Sequence, residues 1–392
     1  MQTGKNNDIR ERDRQYIAGT YSRFPTVMSE GSGAVVTTDD GRECIDLGSG
    51  IAVNIFGHRD PEWVAAVTGQ LGRLAHASNL YFTEPQTVLA QKLCARTFAE
   101  KVFFSNSGAE ANECAIKTAR KYAHDRYGEK RNKIVTLTGS FHGRTITTLS
   151  ATGQEMFHTD FGPFTQGFVH TPPNDTEALL SLMGEDTVAV MLELVQGEGG
   201  VNVLDKAFVQ AVARACREND SLLIIDEVQT GNGRCGALYA YERYGIVPDI
   251  LTTAKGLGGG LPIGATLFGK KCADTLTAGT HGSTFGGNPV CCAGAVSILD
   301  RIDDALLEGV LERERLIRSE LEGAEGVESV SGLGLLIGVK PVRPVKDVIS
   351  DCLENGLLVL SAKDKVRLLP PLNIPIDLLR KGTEILKEAL KK

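Results

Sequence analysis

Apolar and polar residues follow one another along this chain in two rhythms. The stretches "EWVAAVTGQLGRLA", "TVLAQKLCARTFA", "EANECAIKTARKYAHDRYG", "KAFVQAVARACREND" and "PVCCAGAVSILDRI" repeat apolar positions at helical spacing and predict amphipathic helices. Between them come "KVFFS", "KIVTLTG", "VAVMLEL", "SLLIIDEV", "DILTTAK" and "GATLFG". These runs are short and mostly apolar on both faces, as strands covered by helices on both sides must be. The alternation, from about residue 60 to 300, predicts an α/β fold with a predominantly parallel sheet, whose ligands gather at the carboxyl ends of the strands.

After residue 300 the pattern changes. A charged helix, "DALLEGVLERERLIRSELEGA", is followed by "SVSGLGLLIGVKPV", "VKDVISDCLENG" and the Pro-rich "RLLPPLNIP", which reads as a smaller α+β unit. "AVVTTDDGRECIDL" carries Asp-Gly at a turn, a hairpin signal, and is expected to pack with that unit. The division is therefore a large unit over 55–295 and a smaller one formed by 1–54 and 296–392.

Composition narrows the function. A formal net charge of -7 without a basic run argues against a nucleic-acid partner. The longest apolar runs fall well short of the ~20 residues that span a bilayer, and "MQTGKNNDIRERDRQ" lacks an apolar leader core. The expectation is a cytoplasmic protein with no membrane partner. Nine cysteines show no C-x-x-C spacing and no paired histidines, so neither a metal site nor a disulfide framework is indicated.

Two glycine motifs point elsewhere than they first suggest. "GNGRCG" (231–236) matches a dinucleotide fingerprint and is the one feature that would support a Rossmann-type oxidoreductase, but Glu227 to Thr230 separate it from its strand. "GATLFGKK" (264–271) matches a phosphate loop except that Lys271 stands where a metal-binding Ser or Thr belongs. A turn closing a strand accounts for it.

"LTTAKGLGGGLPIGA" reverses the phosphate-loop order, with Lys255 ahead of its glycines and at the end of a strand. Alone, Lys255 reads as well as a solvated cation as it does as a partly desolvated nucleophile. Its company narrows the choice. "DEVQTG" ends a strand at Asp226, about one strand-helix-strand unit earlier, so both side chains can meet on one rim. A carboxylate there can keep a pyridine nitrogen protonated. "FFSNSGAEANE" runs from a strand through Ser107, Gly108 and Ala109 into a helix, a natural anion site. "SFHGRT" offers Phe141 to stack on a flat ring and Arg144 to grip a carboxylate. "THGSTFGGNP" adds Ser283 and Thr284, "ELVQGEGG" adds Glu193 and Glu198, and "KVRLLPPL" adds Arg367. Each also has a plain structural reading as a cap, a turn or a surface charge.

Together these blocks resemble the class III (ω-amino acid) aminotransferases of the fold type I pyridoxal-phosphate superfamily, over about residues 17–375. The resemblance implies a seven-stranded, mostly parallel sheet, a pyridoxal 5′-phosphate cofactor and a homodimer with shared active sites. It implies that Lys255 bonds the cofactor and moves the proton, and that Asp226 pairs with the ring nitrogen. It places Gln229 near the phenolic oxygen, with Glu227 and Val228 in the same cofactor segment. Ser107, Gly108 and Ala109 match the phosphate turn, Thr284 a phosphate ligand from the partner subunit, and Phe141 the stacked ring. Arg144 matches a substrate carboxylate clamp, with Ser283 beside it, and Arg367 matches the arginine that binds the oxoacid, with Glu198 as its switchable partner. Within the family, "TYSRFP", "GIAVNIFGHRDP" and "HASNLYF" are most similar to members that use N-acetylornithine and 2-oxoglutarate in arginine biosynthesis. Members that use succinylornithine, ornithine, 4-aminobutyrate or lysine-pathway amines are the alternatives.

Two departures bear on that reading. Leu194 stands where the family usually has proline, which raises the expectation of altered strand geometry near Glu198. Gly50 and Ile51 stand where ornithine-specific members usually carry a tyrosine, which implies space for an acylated amine.

Overall fold

The computed structural model describes residues 3–392, with side chains from Ile9 onward. Met1 and Gln2, part of the 1–54 segment expected in the smaller unit, lie outside the described residues.

The central sheet has seven strands: β1 Lys101–Ser105, β2 Lys133–Leu137, β3 Phe168–Thr171, β4 Thr187–Leu192, β5 Leu222–Asp226, β6 Ile250–Thr253 and β7 Gly264–Phe268. Their order across the sheet is β1-β7-β6-β5-β4-β2-β3. The pairs β6/β5, β5/β4, β4/β2 and β2/β3 are parallel, whereas β7 runs antiparallel to both β6 and β1. Six of these strands are the apolar runs read from the sequence. The seventh, β3, is "FVHT", an edge strand of only four residues, three of them half-buried. It lacks the two-faced apolar signature because it is short and two of its four residues, His170 and Thr171, are polar.

Every residue of β4, β5, β6 and β7 is buried. Alternate side chains serve two cores. Leu222 and Ile224 pack with Cys114, Ala115, Ile116 and Ala119 of the helix Gly108–Tyr127. Leu223 and Ile225 belong instead to the core of Phe208, Val209 and Val212 on the helix Lys206–Glu218. Truncating one such residue to Ala costs about 2–5 kcal/mol, since the close-packed surroundings relax only in part. Such packing makes the sheet a rigid platform.

Two four-stranded sheets lie outside it. In one, the hairpin Val35–Thr38 and Glu43–Asp46 turns through Gly41 at φ +84, and Leu357 pairs in parallel with Ile45. In the other, Lys365–Leu368 lies between Leu336–Pro341 and Leu360–Ala362 and carries Arg367. The chain ends in the helix Ile376–Lys391, an element beyond those read from the pattern, which buries Leu379, Leu386 and Leu390. No helix among the described residues is long and apolar enough to cross a membrane.

Candidate active site

Strand register brings the chemistry together. Asp226 ends β5 opposite Thr252 of β6, and Lys255 follows β6 by two residues, so both leave the sheet at the same edge. On the other side Ile225 pairs with Leu192, which puts Glu193 beside Asp226. Lys255 has φ +43, a left-handed backbone uncommon outside glycine, and opens a short 3-10 turn. The glycines behind it permit that turn: a Cβ on Gly258 would lie 2.1 Å from the Leu261 carbonyl oxygen.

These strand ends face a cavity of about 500 Å³. Of the residues singled out in the sequence, Ser107, Gly108, Ala109, Phe141, Arg144, Glu193, Asp226, Val228, Gln229 and Lys255 line it. Ser107 caps the helix Gly108–Tyr127, its hydroxyl accepting from the Glu110 N–H at 3.2 Å. The first N–H groups of a helix have no partner inside it, so this end offers donors and the positive pole of the helix dipole. Gly108 is required there: a Cβ would come 2.6 Å from Val228 Cγ1.

Asp226 is buried and held by three donors. Asn112 Nδ2 and His142 Nδ1 each lie 2.8 Å from Oδ2, and the Val228 N–H lies 3.0 Å from Oδ1. Asn112 also donates to the His142 carbonyl at 2.8 Å and accepts from Thr252 Oγ1 at 2.7 Å. The carboxylate therefore has one orientation, fixed from three sides. Burial lowers the Lys255 pKa below its ordinary value, and the nearby Arg367 pushes the same way against the negative charges of Glu198 and Asp226. Such an amine is neutral, and nucleophilic, over a wider pH range than a surface lysine.

Arg367 is buried. Its Nη1 donates to Glu198 Oε1 at 2.5 Å and to Gln229 Oε1 at 3.1 Å, while Nη2 donates to Glu198 Oε2 at 3.3 Å. Burial alone would push the Glu198 carboxyl up, but the Arg367 guanidinium and its hydrogen bonds hold it below the usual range. Leu194 leaves this pair intact. Its carbonyl accepts from Tyr244 Oη at 3.1 Å and from the Leu204 N–H at 3.0 Å, which fixes the backbone ahead of Glu198.

Other candidates stand apart from the cavity. Glu227 turns into the following loop, where it accepts from Thr230 Oγ1 at 2.6 Å and from the N–H groups of Ala240 and Tyr241. Burial pushes its carboxyl up to about 7. Ser283 accepts from Asn106 Nδ2 at 3.2 Å, one residue from the phosphate-type turn, whereas Thr284 is exposed. Gly50 and Ile51 line a neighbouring apolar groove, not the Lys255 cavity; Val53 of the same turn reaches the cavity. The reason is local. Ser49, Gly50, Ile51 and Ala52 all have left-handed backbones, φ 46 to 64, anchored by Asp46 Oδ1 accepting from the N–H groups of Gly48 and Ser49. Arg144 stands at the rim with its guanidinium 4.1 Å from the Phe157 ring centre.

His142 and Asn112 hold the Asp226 carboxylate in this arrangement, yet sequence reading gave them no role. The available signals were the neighbour of Phe141 in "SFHGRT" and one helical turn after Gly108. What converges is an amine of lowered basicity, an oriented carboxylate, an aromatic face and an anion-binding turn.

A family model, Aminotransferase class-III, matches residues 16–390. The chain is a class III aminotransferase. It is 49% identical to an acetylornithine aminotransferase of Haemophilus ducreyi, covering 98% of each chain. It is 43% identical to a Pseudomonas aeruginosa protein named succinylornithine transaminase/acetylornithine aminotransferase, covering 96% of each. Among solved structures, the ornithine aminotransferase of Toxoplasma gondii superposes with a TM-score of 0.94 at 32% identity, covering 98% of this chain and 94% of that one. As a class III aminotransferase it transfers amino groups, and "GNGRCG" marks no oxidoreductase: its Arg234 is buried and donates to the carbonyls of Leu335 and Pro370.

Proposed function

We propose that this aminotransferase moves the δ-amino group of N2-acetyl-L-ornithine to 2-oxoglutarate, giving N-acetyl-L-glutamate 5-semialdehyde and L-glutamate, with pyridoxal 5′-phosphate as cofactor. The observation that carries the reading is the meeting of Lys255 and Asp226 at one sheet edge, in one cavity with Phe141 and the Ser107 turn. That donor set fits the cofactor: a carboxylate for a ring nitrogen, a face for a flat ring, free N–H groups for a phosphate and an amine for an aldehyde. When bound, pyridoxal phosphate supplies the aldehyde that takes up the amino group and a ring that withdraws electrons from the adjacent carbon.

The protein's residues do the rest. Asp226, held by Asn112 and His142, keeps a proton on the ring nitrogen. Ser107, Gly108 and Ala109 hold the phosphate, and Phe141 and Val228 orient the ring. Lys255 Nζ would be the amine that holds the cofactor's aldehyde, and its lowered basicity suits it to take the proton from the amine-bearing carbon of the substrate. Arg144 grips the donor's α-carboxylate at the rim, with Ser283 beside it. While the donor is bound, Glu198 masks Arg367. For 2-oxoglutarate, Glu198 swings away and Arg367 takes the α-carboxylate bidentately.

The reading includes a homodimer in which Thr284 completes the partner's phosphate site. Its support is that Thr284 does not reach its own cavity. Asn79 ties the segment that carries Thr284 to exposed Leu80, Tyr81 and Phe82 by donating to the Ser283 and Gly286 carbonyls. With Phe285 these make an exposed apolar patch that a second copy would cover. The two-unit division, 55–295 against 1–54 with 296–392, belongs to the same reading. The pairing of Leu357–Leu358 with Glu43–Asp46 supports it.

Glutamate formation from 2-oxoglutarate with N-acetylornithine, N-succinylornithine, ornithine and 4-aminobutyrate tests the donor. N-acetylornithine is expected to turn over fastest. Succinylornithine is the second donor to compare, since the Pseudomonas aeruginosa relative's name covers both. Equal or better turnover of free ornithine would overturn the choice.

A further inference from the structure

Glu193 has no part in the chemistry above, yet it follows β4 directly and lines the same cavity. It is buried, and a single protein donor reaches its carboxyl: the Phe141 N–H, 2.8 Å from Oε2. The contrast with its neighbour on the next strand is sharp. Asp226 has three donors; Glu193 has one, and no ion pair to it forms among the described residues. The charged groups around it are Asp226 at the end of β5, Lys255 after β6, and Glu198, which Arg367 already neutralises. His142, on the Phe141 loop, is committed to Asp226.

A buried carboxylate with one hydrogen bond and a second carboxylate beside it is a costly arrangement. A neutral acid there is not. Where two carboxyl groups share a site in unlike surroundings, their protonation states separate.

We propose that Glu193 works as a neutral carboxylic acid, a positioning residue whose Oε2 anchors Phe141 while its other oxygen presents a hydrogen to the cavity. Burial first, and then the negative charge of Asp226, push its carboxyl well above the usual range, in keeping with that geometry. The neutral form holds the Phe141 ring without adding a second negative charge next to Asp226. It thereby leaves Asp226 as the carboxylate that meets the ring nitrogen. The inference rests on the reading of the cavity as a pyridoxal-phosphate site, but the protonation of Glu193 is measurable on the protein itself.

The test compares wild type, E193Q and E193A. Infrared difference spectra in light and heavy water, with and without added pyridoxal phosphate, should carry the C=O stretch of a protonated carboxyl at neutral pH that E193Q lacks. Gln keeps an acceptor for the Phe141 N–H and stays neutral at all pH. E193Q is therefore expected to bind pyridoxal phosphate within about threefold of wild type, and E193A about tenfold more weakly, the loss of one buried hydrogen bond. Wild-type affinity should also weaken at alkaline pH as Glu193 ionises, a limb absent from E193Q. A wild-type spectrum without the protonated band, or E193Q weakened as much as E193A, would overturn the proposal. If no variant binds the cofactor but the band is present, the cofactor reading fails and the protonation of Glu193 stands.

Discussion

Arg367 and Arg234 are both buried, and the structure holds them in opposite ways. Arg367 faces a carboxylate, Glu198, with both guanidinium nitrogens of its fork engaged. Arg234 has no carboxylate: Nη1 donates to the Leu335 carbonyl at 3.1 Å and to the Pro370 carbonyl at 2.5 Å. Burial alone pulls its guanidinium down to about 10. A charge held by another side chain can exchange that partner for a substrate carboxylate, as proposed for Arg367. One held by backbone carbonyls of two segments cannot move without unfolding what it joins. Arg234 thus anchors the chain just beyond the strand that presents Arg367.

The largest effect that would sharpen this comparison is on stability. Arg234→Ala leaves a cavity and two buried carbonyls without donors, and calorimetry should show a loss on the order of 3–5 kcal/mol. Should Arg367→Ala prove the more destabilising of the two, the assignment of anchor and gate would be reversed.

Next in size is a split between half-reactions. Arg367→Ala should lower kcat/KM for 2-oxoglutarate by about ten- to a hundredfold, the worth of a charged hydrogen-bonded pair, while the rate with the amine donor in single turnover changes little. Equal losses in both halves would contradict the gate.

The smallest effect is in the acid range. Glu198 has a depressed folded pKa, so its stabilisation is fully present above the unfolded value, about 4.3, and is lost as pH falls through the lower folded value. The Tm of wild type should therefore exceed that of Glu198→Gln at neutral pH and converge with it as the medium is acidified. Parallel curves would mean that the pair carries no net stabilisation.

The sequence made Arg367 legible and passed over Arg234, for a physical reason. Arg367 belongs to a constellation of side chains with recognisable chemistry, whereas Arg234 bonds backbone carbonyls, which have no residue identity to read. The same distinction runs through the fold. Six strands stood out because they are apolar runs, and β3 did not because it is only four residues long and half of them, His170 and Thr171, are polar. Lys255, Asp226 and the Ser107 turn were legible as strand-end and helix-start residues. Asn112 and His142 were not, because they act through Asp226, across a helix and a loop whose approach exists only in the folded chain. Gly50 and Ile51 were drawn into the wrong cavity, since nothing in the pattern announces the left-handed run that turns them towards the adjacent groove.

In the proposed reaction one amine, Lys255, bonds the cofactor and handles the proton. Borohydride reduction of the protein with pyridoxal phosphate, followed by peptide mapping, tests it most directly. A single reduced pyridoxyl label is expected on Lys255, lost in Lys255→Ala together with multiple turnover. A label on another lysine, or a Lys255→Ala protein that still cycles between amine donor and oxoacid, would contradict it.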